Sequence, residues 1–148
     1  MIKENGYLYT RHAAGSVKET IELGHRLGAT LQPGDVVGLY GGLGVGKTVF
    51  VKGIAIGLGI GEEITSPTYT LMRQYQATSI LCHFDLYRIE DEEELEHIGF
   101  HEYLGGNCVC VIEWADRAGS LRPDISVLID GSGDDERIIE IRHKEGCG

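Results

Sequence analysis

Gly41-Gly42-Leu43-Gly44-Val45-Gly46-Lys47-Thr48 packs four glycines into its first six positions and then presents a lysine and a threonine. The stretch fits G-x-x-x-x-G-K-[ST], a loop whose backbone N–H groups close around a run of phosphate oxygens. Glycine recurs there because a Cβ would clash or forbid the backbone angles the loop needs. Lys47 stands where its ammonium reaches β- and γ-phosphates. Thr48 stands where its hydroxyl meets Mg²⁺, a cation that prefers hard oxygen ligands.

The flanks agree with that reading. Asp35 to Tyr40 is short, apolar and β-rich, the pattern of a buried parallel strand. Residues 48–58 make a helix in spite of several β-branched residues, with Gly57 and Gly59 expected to stop it. Its N-terminus would face the phosphates with free N–H donors and partial positive charge. Upstream, Ser16 and Glu19 form a capping box for a helix whose apolar face is read as Val17, Ile21, Gly24, Leu27 and Leu31. That helix packs on the sheet or covers an adenine. Gly6 to Thr10 reads as an opening strand at a sheet edge.

Downstream, Ile64-Thr65-Ser66-Pro67-Thr68-Tyr69-Thr70 gathers hydroxyls around a proline. It is either an ordinary polar loop or a segment that orders and releases with a γ-phosphate. Thr70 to Tyr75 and Ser79 to Asp85 read as two strands, and Asn107 to Trp114 as a third, buried one. Two of these end in acids, Asp85 and Glu113. An acid at the carboxyl end of a strand in an open α/β sheet lies where ligands bind, and an apolar strand ending in one is the usual magnesium-side partner of a phosphate loop. Either acid can serve the metal and either the attacking water. His83 reads as a strand-face or core histidine rather than a ligand. Trp114 caps the site or packs. Asp91 to Ile98 is an acidic helix start that Asp91 can cap, and residues 100–104 add a helical turn. Asp124 to Asp130 and Arg137 to Arg142 alternate as an antiparallel hairpin, with Arg137 able to reach a nucleotide edge.

These elements predict a single α/β domain of the P-loop NTPase kind over residues 1–148. Its sheet is mixed and mainly parallel, flanked by helices, with the antiparallel hairpin at the C-terminal end. A tail beginning near Lys144 is expected to be loose over residues 146–148. At 148 residues the chain suits one domain with a real core, and no apolar run approaches the ~20 residues of a membrane span. No signal-peptide pattern opens it, so a cytoplasmic, membrane-free protein is expected. A net charge of −10 argues against an extended direct grip on nucleic acid. The four cysteines match no common zinc spacing and read as free thiols.

Taken in order, Gly41 to Thr48, Ser66-Pro67-Thr68-Tyr69-Thr70, His83-Phe84-Asp85-Leu86-Tyr87-Arg88 and Glu113-Trp114 resemble the bacterial TsaE (YjeE-type) ATPases. Those proteins take part in making threonylcarbamoyladenosine in tRNA. The resemblance runs from about Ser16 to Arg142. It implies ATP with Mg²⁺ as the ligand, held by Leu43, Gly44, Val45, Gly46, Lys47 and Thr48. Thr48 and Glu113 would match the family's metal ligands, Asp85 its acid beside the γ-phosphate, and Arg137 a residue near the nucleotide. Lys47, Asp85 and Glu113 would then carry catalysis. The resemblance also implies TsaB- and TsaD-like partners, which modify adenosine 37, so that tRNA is met only through the complex. Val45 stands where alanine is usual, and Ala115 where proline is common.

Other phosphate-loop functions remain open on sequence. A GTPase-type switch would be expected to carry N-K-x-D and D-x-x-G, which this chain lacks. A small-molecule kinase would need an arginine-rich lid, and none is evident. Arg73, Arg88 and Arg117 are candidate arginine fingers without a diagnostic spacing, which predicts slow hydrolysis alone and faster hydrolysis with partners.

Overall fold

Alternation of buried residues along the strands builds the molecule in two layers of core around one sheet. In the computed structural model the described residues are 2–4, 6–42, 44–67, 71–131 and 134–144. The strands are β1 (Ile2–Glu4), β2 (Tyr7–Ala14), β3 (Val36–Tyr40), β4 (Met72–Gln76), β5 (Ile80–Asp85), β6 (Cys108–Glu113), β7 (Ile125–Gly131) and β8 (Arg137–Lys144). They form an 8-stranded sheet in the order β1-β2-β8-β7-β3-β6-β5-β4. β7, β3, β6 and β5 run parallel at its centre, and the outer pairings are antiparallel. The predicted mixed α/β architecture and the β7–β8 hairpin both form.

Odd-numbered residues of the central strands, such as Val37, Leu39, Leu81, Val109 and Val111, face one core. That core also holds Leu23, Leu27, Phe50 and Ile54 from helices α1 (Val17–Gly28) and α2 (Lys47–Gly57). Even-numbered Val36, Cys82, Phe84, Cys110 and Ile112 face a second core with Leu95 of α3 (Glu93–His97) and Phe100 of α4 (Phe100–Tyr103). Cys82, Cys108 and Cys110 are free and buried, as expected, and Cys147 lies outside the described residues.

Contact between α1 and α2 is made backbone to backbone through glycines. A Cβ at Gly24 would lie 2.4 Å from the Phe50 carbonyl oxygen, and one at Gly28 2.3 Å from that of Ile54. From the other helix, a Cβ at Gly53 would meet the Ile21 oxygen at 2.2 Å and one at Gly57 the His25 oxygen at 2.4 Å. This contact corrects two expectations. Gly57 is the last residue of the helix, chosen for close approach; the turn beyond it belongs to Gly59, at φ +79°. The buried face of α1 is Thr20, Leu23, Gly24, Leu27 and Gly28, whereas Val17 is 44% exposed. Of the expected face, Gly24, Leu27 and Leu31 are buried, Val17 falls outside it, and Thr20, Leu23 and Gly28 join it.

The capping box at Ser16 forms: its hydroxyl accepts the Glu19 N–H at 3.2 Å, while the Glu19 carboxylate accepts the Gly15 N–H at 2.8 Å. Asp91 accepts the Glu93 N–H, just ahead of α3. The opening strand is longer than expected and is not at the edge. β2 pairs along its length with β8, and β1 covers its other side. Lys144, read as the start of a loose tail, ends β8 opposite Tyr7, and residues 145–148 lie outside the described residues.

Candidate functional site

β3 ends at Tyr40, and the chain turns through glycines into α2. Gly41, Gly44 and Gly46 have φ of +152°, +76° and +98°, values that side chains resist. Gly41 is also sterically closed, since a Cβ there would sit 2.5 Å from the Ile129 oxygen. Lys47 opens the helix and folds back. Its Nζ donates to the carbonyls of Gly41 at 2.9 Å and Gly42 at 2.7 Å, and lies 4.0 Å from the centre of the Trp114 ring. Burial lowers its pKa, against the pull of Glu113 and Asp85 in the other direction.

Parallel pairing of β5 with β6 sets Asp85 beside Glu113, with Cα atoms in register. Both are odd-numbered and so share the face that carries α2. Thr48, on the first turn of α2, donates to Glu113 and lies 3.0 Å from each carboxylate oxygen. A hydroxyl has one hydrogen, so the 2.8 Å contact between Thr48 and Ser66 is donated by Ser66. His83 Nε2 approaches Glu113 Oε2 at 2.6 Å. Asp85 keeps fewer partners: its Oδ1 accepts the Tyr87 N–H at 3.0 Å. Burial raises its pKa above the ordinary carboxylate value, a rise that the Tyr87 N–H partly offsets.

A cleft of about 350 Å³ joins these groups, lined by Gly44, Gly46, Lys47, Thr48, Asp85 and Glu113 among others. Ser66, Tyr87 and Trp114 complete its wall. Trp114, at φ +57°, turns the chain out of β6 and brings its ring against Tyr87, with centroids 5.0 Å apart. It therefore caps and packs at once.

Of the predicted nucleotide-binding residues, Leu43 lies outside the described residues, as do Thr68, Tyr69 and Thr70 of the hydroxyl-rich segment. Gly44, Val45, Gly46, Lys47, Thr48, Asp85 and Glu113 are gathered at one end of the sheet. Arg137 comes to the same loop, but through its backbone: Nε donates to the Val45 carbonyl at 2.6 Å and Nη2 to that of Gly44 at 3.4 Å. Two contacts were not anticipated, Ser66 on Thr48 and His83 on Glu113. The second was legible in part, because residues 81, 83 and 85 of one strand share a face.

Residues 14–140 match the family described as threonylcarbamoyl adenosine biosynthesis protein TsaE. The chain belongs to the TsaE family. A TsaE of Treponema pallidum, described as a tRNA threonylcarbamoyladenosine biosynthesis protein, is 46% identical over 119 residues, or 80% of this chain and 88% of its own. The Bacillus subtilis TsaE is 42% identical over 125 residues, covering 82% of this chain and 78% of its own. The crystal structure of Bacillus subtilis YdiB is similar throughout, with a TM-score of 0.78 at 33% identity, covering 95% of this chain and 89% of that one. Ala115, which stands where proline is common in the family, is buried in the second core and begins a 3₁₀ turn, Ala115–Arg117.

Proposed function

We propose that this chain binds and hydrolyses Mg·ATP as an accessory to threonylcarbamoyladenosine formation at position 37 of tRNA, acting on a TsaB–TsaD-type complex in the cytoplasm. The observation that carries the reading is the meeting of Thr48, at the start of α2, with Glu113, while Asp85 lines the same cleft. The donor set fits the ligand. Thr48, Ser66 and Glu113 offer oxygen only, as Mg²⁺ prefers, and among the described residues no group of three His, Cys, Asp or Glu forms a closed cage for a metal. Magnesium commonly takes one or two protein ligands and completes its shell from phosphates and water. Thr48 and Glu113 would hold it here.

Bound in the cleft, the nucleotide and its metal would supply the phosphoanhydride and the charge that neutralises its oxygens. The chain's own residues do the rest. Loop N–H groups and the start of α2 grip anionic oxygens. Lys47 exchanges two neutral carbonyls for charged partners, a bond roughly twice as strong. Asp85, held by burial above the ordinary carboxylate range, suits acceptance of a proton from attacking water. Of the candidate arginine fingers Arg73, Arg88 and Arg117, Arg73 is bonded to Thr65 and Arg117 to the Ile89 carbonyl. Such engagement supports slow hydrolysis alone and acceleration by a partner.

The test is calorimetry with Mg·ATP and Mg·GTP, joined to phosphate release with and without the TsaB–TsaD pair. ATP should bind in preference to GTP, release should rise about tenfold or more with partners, and Lys47→Ala should abolish it. No heat with ATP under either condition, a preference for GTP, or brisk turnover indifferent to partners would overturn the proposal. A phosphorylated small molecule among the products would favour the kinase alternative.

A further inference from the structure

Glu113 is gripped from two sides, by Thr48 and by His83, and the function proposed above uses only the first grip. His83 is 0% exposed, and Glu113 is 3% exposed. Of the residues that share their face on β5 and β6, Leu81, Val109 and Val111 are apolar and buried, and Asp85, at the end of its strand, is the other charged one. Packing alone would favour an apolar side chain at position 83 as well. Moreover, His83 Nδ1 is buried with no hydrogen-bond partner among the described residues. A buried nitrogen without a partner among the described residues costs free energy, and the bond from the other nitrogen offsets that cost.

We infer that His83 is a positioning residue, which donates from Nε2 to Oε2 of Glu113 and fixes the carboxylate in the orientation that meets Thr48 and a divalent cation. The inference rests on the nucleotide–magnesium reading of the cleft. The 2.6 Å contact requires a hydrogen on Nε2, since a carboxylate accepts. A hydrogen on Nδ1 instead would be buried without an acceptor among the described residues and would leave two electron-rich atoms in contact. The Nε2–H tautomer is therefore the one this pocket selects. With Oε2 occupied from the β5 side, the carboxylate cannot swing about its terminal bond, and both oxygens stay 3.0 Å from Thr48 Oγ1. Orienting partners of this kind matter to metal sites: their loss costs about 10–100-fold in metal affinity.

Two substitutions separate positioning from packing. His83→Phe keeps a ring of similar volume without a donor, and His83→Gln places an amide N–H near the position of Nε2. ADP affinity would be measured by calorimetry on the full chain, with and without Mg²⁺. In His83→Phe, affinity without metal should stay within about twofold, while the gain brought by Mg²⁺ should fall about tenfold or more. His83→Gln should recover most of that gain. If phenylalanine prevents folding, His83→Leu carries the same arm. A folded Phe or Leu variant with an undiminished Mg²⁺ effect overturns the inference, as does equal impairment in Gln and Phe. A second readout needs no ligand: nitrogen-resolved NMR of the imidazole should show a hydrogen on Nε2 that is shielded from exchange, and an Nε2 without a hydrogen overturns it. Failure of wild type to bind nucleotide under any condition would sink the proposed function alone, because the NMR result still decides the bond between His83 and Glu113.

Discussion

β5 and β6 are neighbours built on one plan. Each runs six residues, each alternates between the same two cores, and each ends in an acid, with Asp85 and Glu113 side by side. Their surroundings nonetheless differ. Glu113 is buried and accepts from Thr48 and His83. Asp85 is half-buried, accepts one backbone N–H, and is pushed by burial toward its protonated form. Position in a motif therefore does not assign a role; environment does. Carboxylates in settings this different suit different tasks, and under the proposed function Glu113 holds the ion while Asp85 accepts the proton.

Substituting the two acids gives the largest expected effects. Glu113→Ala should lower partner-stimulated turnover by about a thousandfold and abolish the Mg²⁺ contribution to nucleotide affinity, since it removes a metal ligand and the anchor of two donors. Asp85→Ala should lower turnover by about a hundredfold, a loss within the range of general-base contributions, while leaving Mg·ATP affinity within about threefold. Steady-state rates beside calorimetry check both. Loss of Mg²⁺-dependent binding in Asp85→Ala, with retention in Glu113→Ala, would exchange the two roles.

The difference between the acids was only half legible in the sequence. The loop announced itself because its function needs fixed glycines, and buried strands announced themselves by apolar runs. Both acids were found, since a charge at the end of such a run has little other reason to be there. Which acid is held, and by what, depends on register across β5 and β6 and on where α2 lies. No local pattern encodes either. His83 was read as a core histidine because a lone histidine has many structural uses; only its 2.6 Å approach to Glu113 distinguishes it. The buried face of α1 was likewise read only in part. Glycines at 24, 28, 53 and 57 carry no apolar signal, yet they decide the helix contact.

That contact offers a way to disturb one acid and spare the other. Thr48 reaches Glu113 only while α2 lies where its glycines allow. A Cβ at Gly53 would meet the Ile21 oxygen at 2.2 Å, which must move the helices apart. Gly53→Ala should destabilise the fold by about 2 kcal/mol, a fall of roughly 5–8 °C in melting temperature. It should also weaken the Mg²⁺ effect more than metal-free nucleotide binding. Gly61→Ala is the control, because nothing lies within 4 Å of its Cβ; there the melting temperature should hold or rise slightly.

The smallest effect separates the acids most cleanly, because its sign differs between them. In the metal-free protein, burial raises the Asp85 pKa above the ordinary 3.8. Between those two values the folded chain binds more protons than the unfolded one. Stability therefore falls as pH rises through that window, and the deficit persists at neutral pH. Asp85→Asn removes the charge and the deficit, so at pH 7 the variant should melt slightly higher than wild type. The advantage should vanish below the ordinary carboxylate range, where wild-type Asp85 is protonated in both states. Glu113→Gln should do the opposite at pH 7. Its amide can still accept from His83 and offer its NH₂ to the Thr48 hydroxyl, but both bonds then lose the carboxylate's charge and weaken. Melting curves of the two amide variants at several pH values make the check. Shifts of the same sign at pH 7 would mean that the two acids share one environment, and the division of labour between β5 and β6 would have to be abandoned.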